Sequence, residues 1–122
     1  LLQKAVEHVK KRHQVGKVSI AGVVRTKKDN FYSGTNMKYH MGNISSCAGR
    51  NAVYTALNEG DDKLDTLVEV KYFPEDDHCE VVNACGICRQ VLLYHTPLKV
   101  IIDKNGILET VEFEELIPFA FI

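Results

Sequence analysis

Ala84-Cys85-Gly86-Ile87-Cys88-Arg89-Gln90-Val91-Leu92 sets a Cys-x-x-Cys pair at the start of a segment with helical spacing. The spacing predicts a short, largely buried helix over residues 86 to 95, with two thiols at its N-terminus. A third cysteine, Cys47, opens another predicted helix. There Ser46 reads as the N-cap, Ala48, Ala52, Val53, Ala56 and Leu57 form the apolar face, and Gly60 ends the run. Each helix start presents partial positive charge and unsatisfied N–H groups to a sulfur, which lowers thiolate pKa values. A lone Cys-x-x-Cys is equally compatible with a redox pair, but the third helix-opening cysteine favours a metal centre. Three thiolates on one zinc leave a net charge of −1. Arg50 and Arg89 are placed to offset it by hydrogen bonding to sulfur, the alternative being that both lie on the surface.

Working outward, Leu1, Leu2, Ala5, Val6 and Val9 repeat at helical spacing and predict an amphipathic helix over residues 1 to 13. Residues 18 to 24 and 30 to 36 read as a hairpin across Lys27-Lys28-Asp29-Asn30. An irregular loop, 37 to 45, leads to the Cys47 helix. Residues 64 to 73 read as a third strand, 74 to 83 as a polar turn, 98 to 103 as a fourth strand and 107 to 111 as a fifth, followed by a helical turn at 112 to 116. Helices alternating with strands predict an α/β protein, three layers deep, with a five-stranded mixed sheet. Antiparallel pairing is expected first and parallel pairing later.

The 122 residues suit one domain over 1–122 with a core of its own. A net charge of −1 supplies no basic field for a nucleic acid backbone, so no nucleic acid polymer is expected as partner. No apolar run is long enough to span a bilayer, and Glu7 among several lysines is unlike a signal-peptide core, so a soluble, cytoplasmic protein is expected. Four cysteines without a small, loop-rich secreted character are read as reduced thiols or metal ligands.

Taken in order, these stretches resemble the zinc-dependent cytidine deaminases, among which the small cytidine and blasticidin-S deaminases are most similar. That family carries Cys-Ala-Glu-Arg at one helix start and Pro-Cys-x-x-Cys followed by Arg-Gln-Val-Leu at the next. Here the stretches are Cys47-Ala48-Gly49-Arg50 and Ala84-Cys85-Gly86-Ile87-Cys88-Arg89-Gln90-Val91-Leu92. Gly34-Thr35-Asn36 and the terminal Glu115-Leu116-Ile117-Pro118 extend the match over nearly the whole chain. The resemblance implies a cytidine deaminase-like α/β/α fold, zinc held by Cys47, Cys85 and Cys88, and hydrolytic release of ammonia from a cytosine ring in a small nucleoside-like substrate. It implies substrate contacts from Asn36, Lys38 and Phe121, and a homotetramer. The apolar tail Phe119-Ala120-Phe121-Ile122 independently suits a subunit contact, or folds back on its own core.

The departures are as informative. The family's Glu, which shuttles protons without binding metal, falls at Gly49, where no side chain is available for acid–base work. Expected consequences are a weakened deaminase, or a deaminase-like zinc protein that only binds a nucleoside-like ligand. Lys38 replaces a Glu that contacts ribose in the nucleoside enzymes, Val18 replaces a Phe beside the base, and Ala84 replaces the Pro before the cysteine pair. Lys38 would favour an anionic group on the ligand, or is a solvated loop lysine. Cys79 is read as a packed thiol in preference to a fourth ligand, and Glu80 as a minor candidate to replace the missing acid. His40, His78 and His95 lack partners at ligand spacing.

Overall fold

The computed structural model describes residues 1–121, so the last residue of the tail, Ile122, lies outside the described residues. Its middle strand is β3 (Leu64–Phe73), buried without a break from Thr66 to Val70 because both faces are covered. On one edge β1 (Ile20–Thr26) pairs antiparallel with β3, and β2 (Phe31–Thr35) pairs antiparallel beyond it. The other edge of β3 is shared. Its first half takes β5 (Lys99–Lys104) in parallel at Thr66 and Leu67, and its last residues take β4 (His78–Val81) antiparallel from Val70 to Phe73. An antiparallel β6 (Ile107–Glu112) completes the order β2-β1-β3-β5-β6, with β4 attached to β3.

The sheet is mixed, as the pattern predicts, but has six strands. The additional one, β4, hides in the stretch read as a polar turn: it is four residues long, and only Cys79 and Val81 of it pack inward. Nor is the second half of the sheet all parallel. Among the described residues β3–β5 is the parallel pair, and β5 returns to β6 as a hairpin whose turn residues Asn105 and Gly106 both have positive φ.

Helix α1 (Leu2–Arg12) covers one face, burying Ala5 and Val9 against Ala21, Val23, Val68 and Val70. Helices α2 (Ala48–Asn58) and α3 (Gly86–Leu92) cover the other around Val24, Leu67, Leu98, Val100 and Phe113. Burying each of these large side chains contributes about 1.5–3 kcal/mol. Helix α3 is less buried than its spacing implies. Cys88 and Leu92 point inward while Ile87 is 64% exposed, and the helix passes into a 3₁₀ turn at Leu93–His95. Cys47, not Ser46, is the N-cap of α2. Ser46 instead forms a bridge with Met37 across the loop, and its hydroxyl accepts a hydrogen bond from Asn51 Nδ2 at 3.0 Å.

The N-terminal half of α2 lies very close to the sheet. A Cβ on Gly34 would stand 2.4 Å from the Ala52 nitrogen, and one on its strand partner Gly22 would stand 3.0 Å from the Ala48 carbonyl carbon. Only glycine permits that approach, since a side chain of any size would push the helix outward. The far end of α2 is tied down by Asp61, which is 4% exposed. Its Oδ2 accepts from Asn30 Nδ2 (2.9 Å), Thr26 Oγ1 (2.8 Å) and the Tyr32 hydroxyl (3.1 Å), clamping the β1–β2 hairpin to the α2–β3 connection.

The hydrogen bond from Asn30, with further help from Thr26 and Tyr32, outweighs burial and holds the Asp61 pKa below its ordinary value. A carboxyl depressed in the folded state stabilises it above the ordinary carboxylate range and loses that contribution as pH falls through the folded pKa. Asp61→Ala is therefore expected to lower the thermal midpoint near neutral pH, and the difference from the unaltered protein should shrink as pH falls below the ordinary carboxylate range, about 4. Thermal unfolding of both proteins across that pH range is the check.

Candidate functional site

The loop out of β2, the start of α2 and the start of α3 bring three thiols together. The ligand atoms of Cys47, Cys85 and Cys88 all lie within 4.8 Å of one another, and the Cys47 and Cys85 sulfurs are 3.2 Å apart. Cys47 caps α2 and Cys85 caps α3, where its sulfur accepts from the Cys88 N–H. Burial above all, and then the bond to Cys85, push the Cys47 thiol up. Burial likewise pushes up Cys88, the innermost of the three. Burial opposes ionisation at Cys85 too, but hydrogen bonds from the Cys88 N–H, the neighbouring thiols and the Ile87 N–H outweigh it and hold this thiol below its ordinary value.

This donor set fits zinc. Soft sulfur ligands about 2.3 Å from a tetrahedral metal stand ~3.8 Å from one another, a spacing the three sulfurs, one pair at 3.2 Å and all within 4.8 Å, can reach with small rotations. Three protein ligands would leave one tetrahedral position for a non-protein ligand.

Beside the thiols the structure places a carboxylate. Glu69 lies on β3 opposite Gly22 of β1, on the face that α2 covers, and is 5% exposed. Its Oε1 accepts a hydrogen bond from the Gly49 N–H at 2.7 Å, satisfying one of the free donors at the start of α2. Burial raises its pKa, and the Gly49 bond opposes that rise only in part. With Cys47, Cys85, Asn36, Lys38 and Asn83, Glu69 lines a cavity of about 240 Å³. The cavity opens where β3 changes partner: Val82 N–H donates to the Glu69 carbonyl at 3.0 Å, and Asn83 exchanges two hydrogen bonds with Asp103 of β5 across the split. Such points in α/β sheets are where ligands bind.

Comparison with known proteins gives the family and the fold. Residues 1–104 match the family described as the cytidine and deoxycytidylate deaminase zinc-binding region. The chain belongs to this family. It is 29% identical to the blasticidin-S deaminase of Bacillus cereus over 99% of this chain and 89% of that protein. Among solved structures, the cytidine deaminase of Burkholderia pseudomallei superposes with a TM-score of 0.76 at 21% identity, covering 97% of this chain and 94% of that one. That of Mycobacterium tuberculosis gives 0.76 at 22%, covering 99% and 94%. The α/β fold is thus that of the cytidine deaminases, and zinc is the metal for which a deaminase domain with this three-cysteine cluster is suited.

Among the residues singled out from the sequence, the cavity gathers Cys47, Cys85, Asn36 and Lys38. Asn36 already has work to do there. Its Oδ1 accepts from the backbone N–H groups of Ser19 and Ile20, both at 3.0 Å, which fixes the approach to β1. Val18 lies just outside β1 in a neighbouring cavity of about 270 Å³ that shares Met37 and Lys38 with the first. Phe121 stands apart, 83% exposed, with its carbonyl accepting from Gln90 Nε2 of α3.

Neither arginine hydrogen-bonds a sulfur among the described residues. Arg89 donates to the Ala84 carbonyl (2.8 Å) and the Leu116 carbonyl (3.0 Å), bracing α3 against the segment before it and the C-terminal 3₁₀ turn. Arg50 acts on the site through charge alone, lowering the Cys47 pKa slightly against the larger effect of burial. Cys79 lies outside the thiol cluster and packs toward α1. Glu80 is exposed on β4 beside His78 and does not line the cavity of the thiols.

Glu69 escaped the sequence reading, although a signal for it exists. It is the one charge among Leu67, Val68 and Val70 in the middle of a strand buried on both faces, where an acid is costly unless it has a task. Metal content provides the first check on the site. Purified protein should carry about one zinc per chain, Cys88→Ser should lose it and unfold at a lower temperature, and Cys79→Ser should retain it.

Proposed function

We propose that this chain is a zinc-dependent hydrolytic deaminase of a cytosine-containing nucleoside or analogue, with Cys47, Cys85 and Cys88 as the zinc ligands. One observation carries the reading: in a chain of this family, a buried carboxylate and two thiols of a three-cysteine cluster, Cys47 and Cys85, line one cavity, with the third, Cys88, buried behind them. Zinc bound by three thiolates supplies a water made acidic near neutral pH. The chain's own residues do the rest. The walls from Ile20, Ala48 and Val82 exclude bulk water from a flat ring, while Lys38 and the Asn36 amide offer donors at its rim.

About 240 Å³ is less than the ~300–1,000 Å³ usual for small-molecule sites, enough for a ring with its substituent projecting outward. The adjoining cavity, which Lys38 shares with Arg12 and Lys17, is cationic and suits a substituent that carries negative charge. Cytidine, deoxycytidine and blasticidin S are the compounds to test, by ammonia release or by the ultraviolet change of the ring. Turnover of at least one is expected, with zinc-stripped protein inactive and zinc restoring it. Activity that survives complete zinc removal would contradict the proposal.

We further propose that the protein works as a homotetramer. Phe119 and Phe121 lie outside the core, and Gln90 holds the tail beside α3, where Ile87 is also exposed, so one side of each chain presents apolar surface to a neighbour. Sedimentation or light scattering should give a mass near four times that of the 13.7 kDa chain, and a monomer at micromolar concentration would contradict this.

A further inference from the structure

Gly49 and Glu69 occupy one space. A Cβ built on Gly49 would stand 2.7 Å from Glu69 Cδ, and 2.9 and 3.1 Å from its two oxygens. The Glu69 carboxylate therefore sits where a side chain at position 49 would begin, and position 49 is where the family pattern has its acid–base glutamate. The pairing works in both directions. Glycine at 49 makes room for the carboxylate, and Gly22, opposite Glu69 on β1, adds no side chain to compete for it.

Stability does not explain the acid. Glu69 has no salt bridge among the described residues, and its single protein hydrogen bond, from the Gly49 N–H, is one that a neutral Gln or Ser would also accept. What a carboxylate adds at that point is charge and a proton-accepting oxygen facing the cavity that Cys47 and Cys85 line.

We propose that Glu69 is the acid–base residue of this deaminase, its carboxylate reaching the reacting atoms from strand β3 instead of from helix α2. This rests on the deaminase reading above. In the reaction, water adds to the amino-bearing ring carbon and the exocyclic C–N bond breaks. The water oxygen stays on the ring as a carbonyl, and ammonia leaves. Glu69 takes one proton from the water and passes it to the ring nitrogen. It then takes the second proton of the former water, from the hydroxyl on the ring carbon, and delivers it to the departing amine. The ring nitrogen keeps its proton in the product, so Glu69 ends as the carboxylate it began. Its buried setting, which raises its affinity for a proton, suits a group that must both accept and return one.

The relocation changes what a glutamate at position 49 would do. Gly49→Glu alone would force two carboxylates into one space, while Gly49→Glu combined with Glu69→Ala would return the carboxylate to the helix.

The test compares the zinc-loaded protein with Glu69→Gln, Glu69→Ala, Gly49→Glu, the double variant Gly49→Glu/Glu69→Ala, and Glu80→Gln as a control. Zinc per chain, thermal midpoint and kcat/KM on the three pyrimidine compounds are measured for each. Glu69→Gln keeps an acceptor for the Gly49 N–H, so it should retain its zinc and its midpoint while losing at least about 10²-fold in kcat/KM. Gly49→Glu should lower the midpoint. The double variant should regain at least ~3 °C of that loss and at least tenfold in activity over Glu69→Ala, a coupling that independent sites would not show. Glu80→Gln should match the unaltered protein.

Full activity in Glu69→Gln at matched zinc content would overturn the proposal and leave the deaminase reading standing. Loss of zinc in Glu69→Gln would make Glu69 a ligand instead and also overturn it. Failure of every protein, the unaltered one included, to deaminate any of the compounds would remove the deaminase reading itself, and the acid–base role with it.

Discussion

The distance between the start of helix α2 and the sheet governs this molecule. Gly22 and Gly34, paired across β1 and β2, let the helix backbone rest on the strands with no side chain between. That approach brings the Gly49 N–H within 2.7 Å of a carboxylate rising from β3. It also aims the N-terminus of α2, with Cys47 as its cap, at the start of α3, capped by Cys85. A helix held even 1 Å farther out would break the Glu69 bond and open the thiol cluster, so geometry in the sheet and chemistry at its edge depend on one close contact.

Electrostatically the site is a concentration of groups that resist ionisation together. Burial raises the proton affinity of Cys47, Cys88 and Glu69, and only Cys85 is held low by the hydrogen bonds around it. The N-termini of α2 and α3 offset part of this, as does the charge of Arg50, but a divalent cation offsets far more. Building the centre at the point where β3 trades β5 for β4 gives it an opening that an unbroken ladder would close.

Much of this was legible in the chain. The helical spacing of Ala48 to Leu57, the apolar β-branched run into β1 and the thiols at two helix starts point to the layers and the cluster, because those signals are local to the element. Errors fell where a local signal was weak or two were superposed. A four-residue strand with polar alternate positions reads as a turn, and Ser46 beside Cys47 looks the better cap until the loop bridge to Met37 claims it. For Arg89, proximity in sequence to the thiols says nothing of which group a guanidinium finds, and those it finds are the carbonyls of Ala84 and Leu116. Glu69 was missed for a different reason. Position 49 was compared with a linear motif, whereas the group standing in its space lies twenty residues away on another element, and only packing brings the two together.

The decisive quantity is where that carboxylate stands relative to the metal. Crystals of the zinc-loaded protein, with diffraction recorded on both sides of the zinc absorption edge, would locate both directly. One zinc bonded to the sulfurs of Cys47, Cys85 and Cys88, with a non-protein fourth ligand, is the expected result. A Glu69 oxygen should lie within about 2.6–3.2 Å of that ligand, and the carboxylate should still pack against the Gly49 backbone. A Glu69 oxygen bonded to the zinc itself, or a Glu69 side chain turned away with another carboxylate at the fourth ligand, would contradict it.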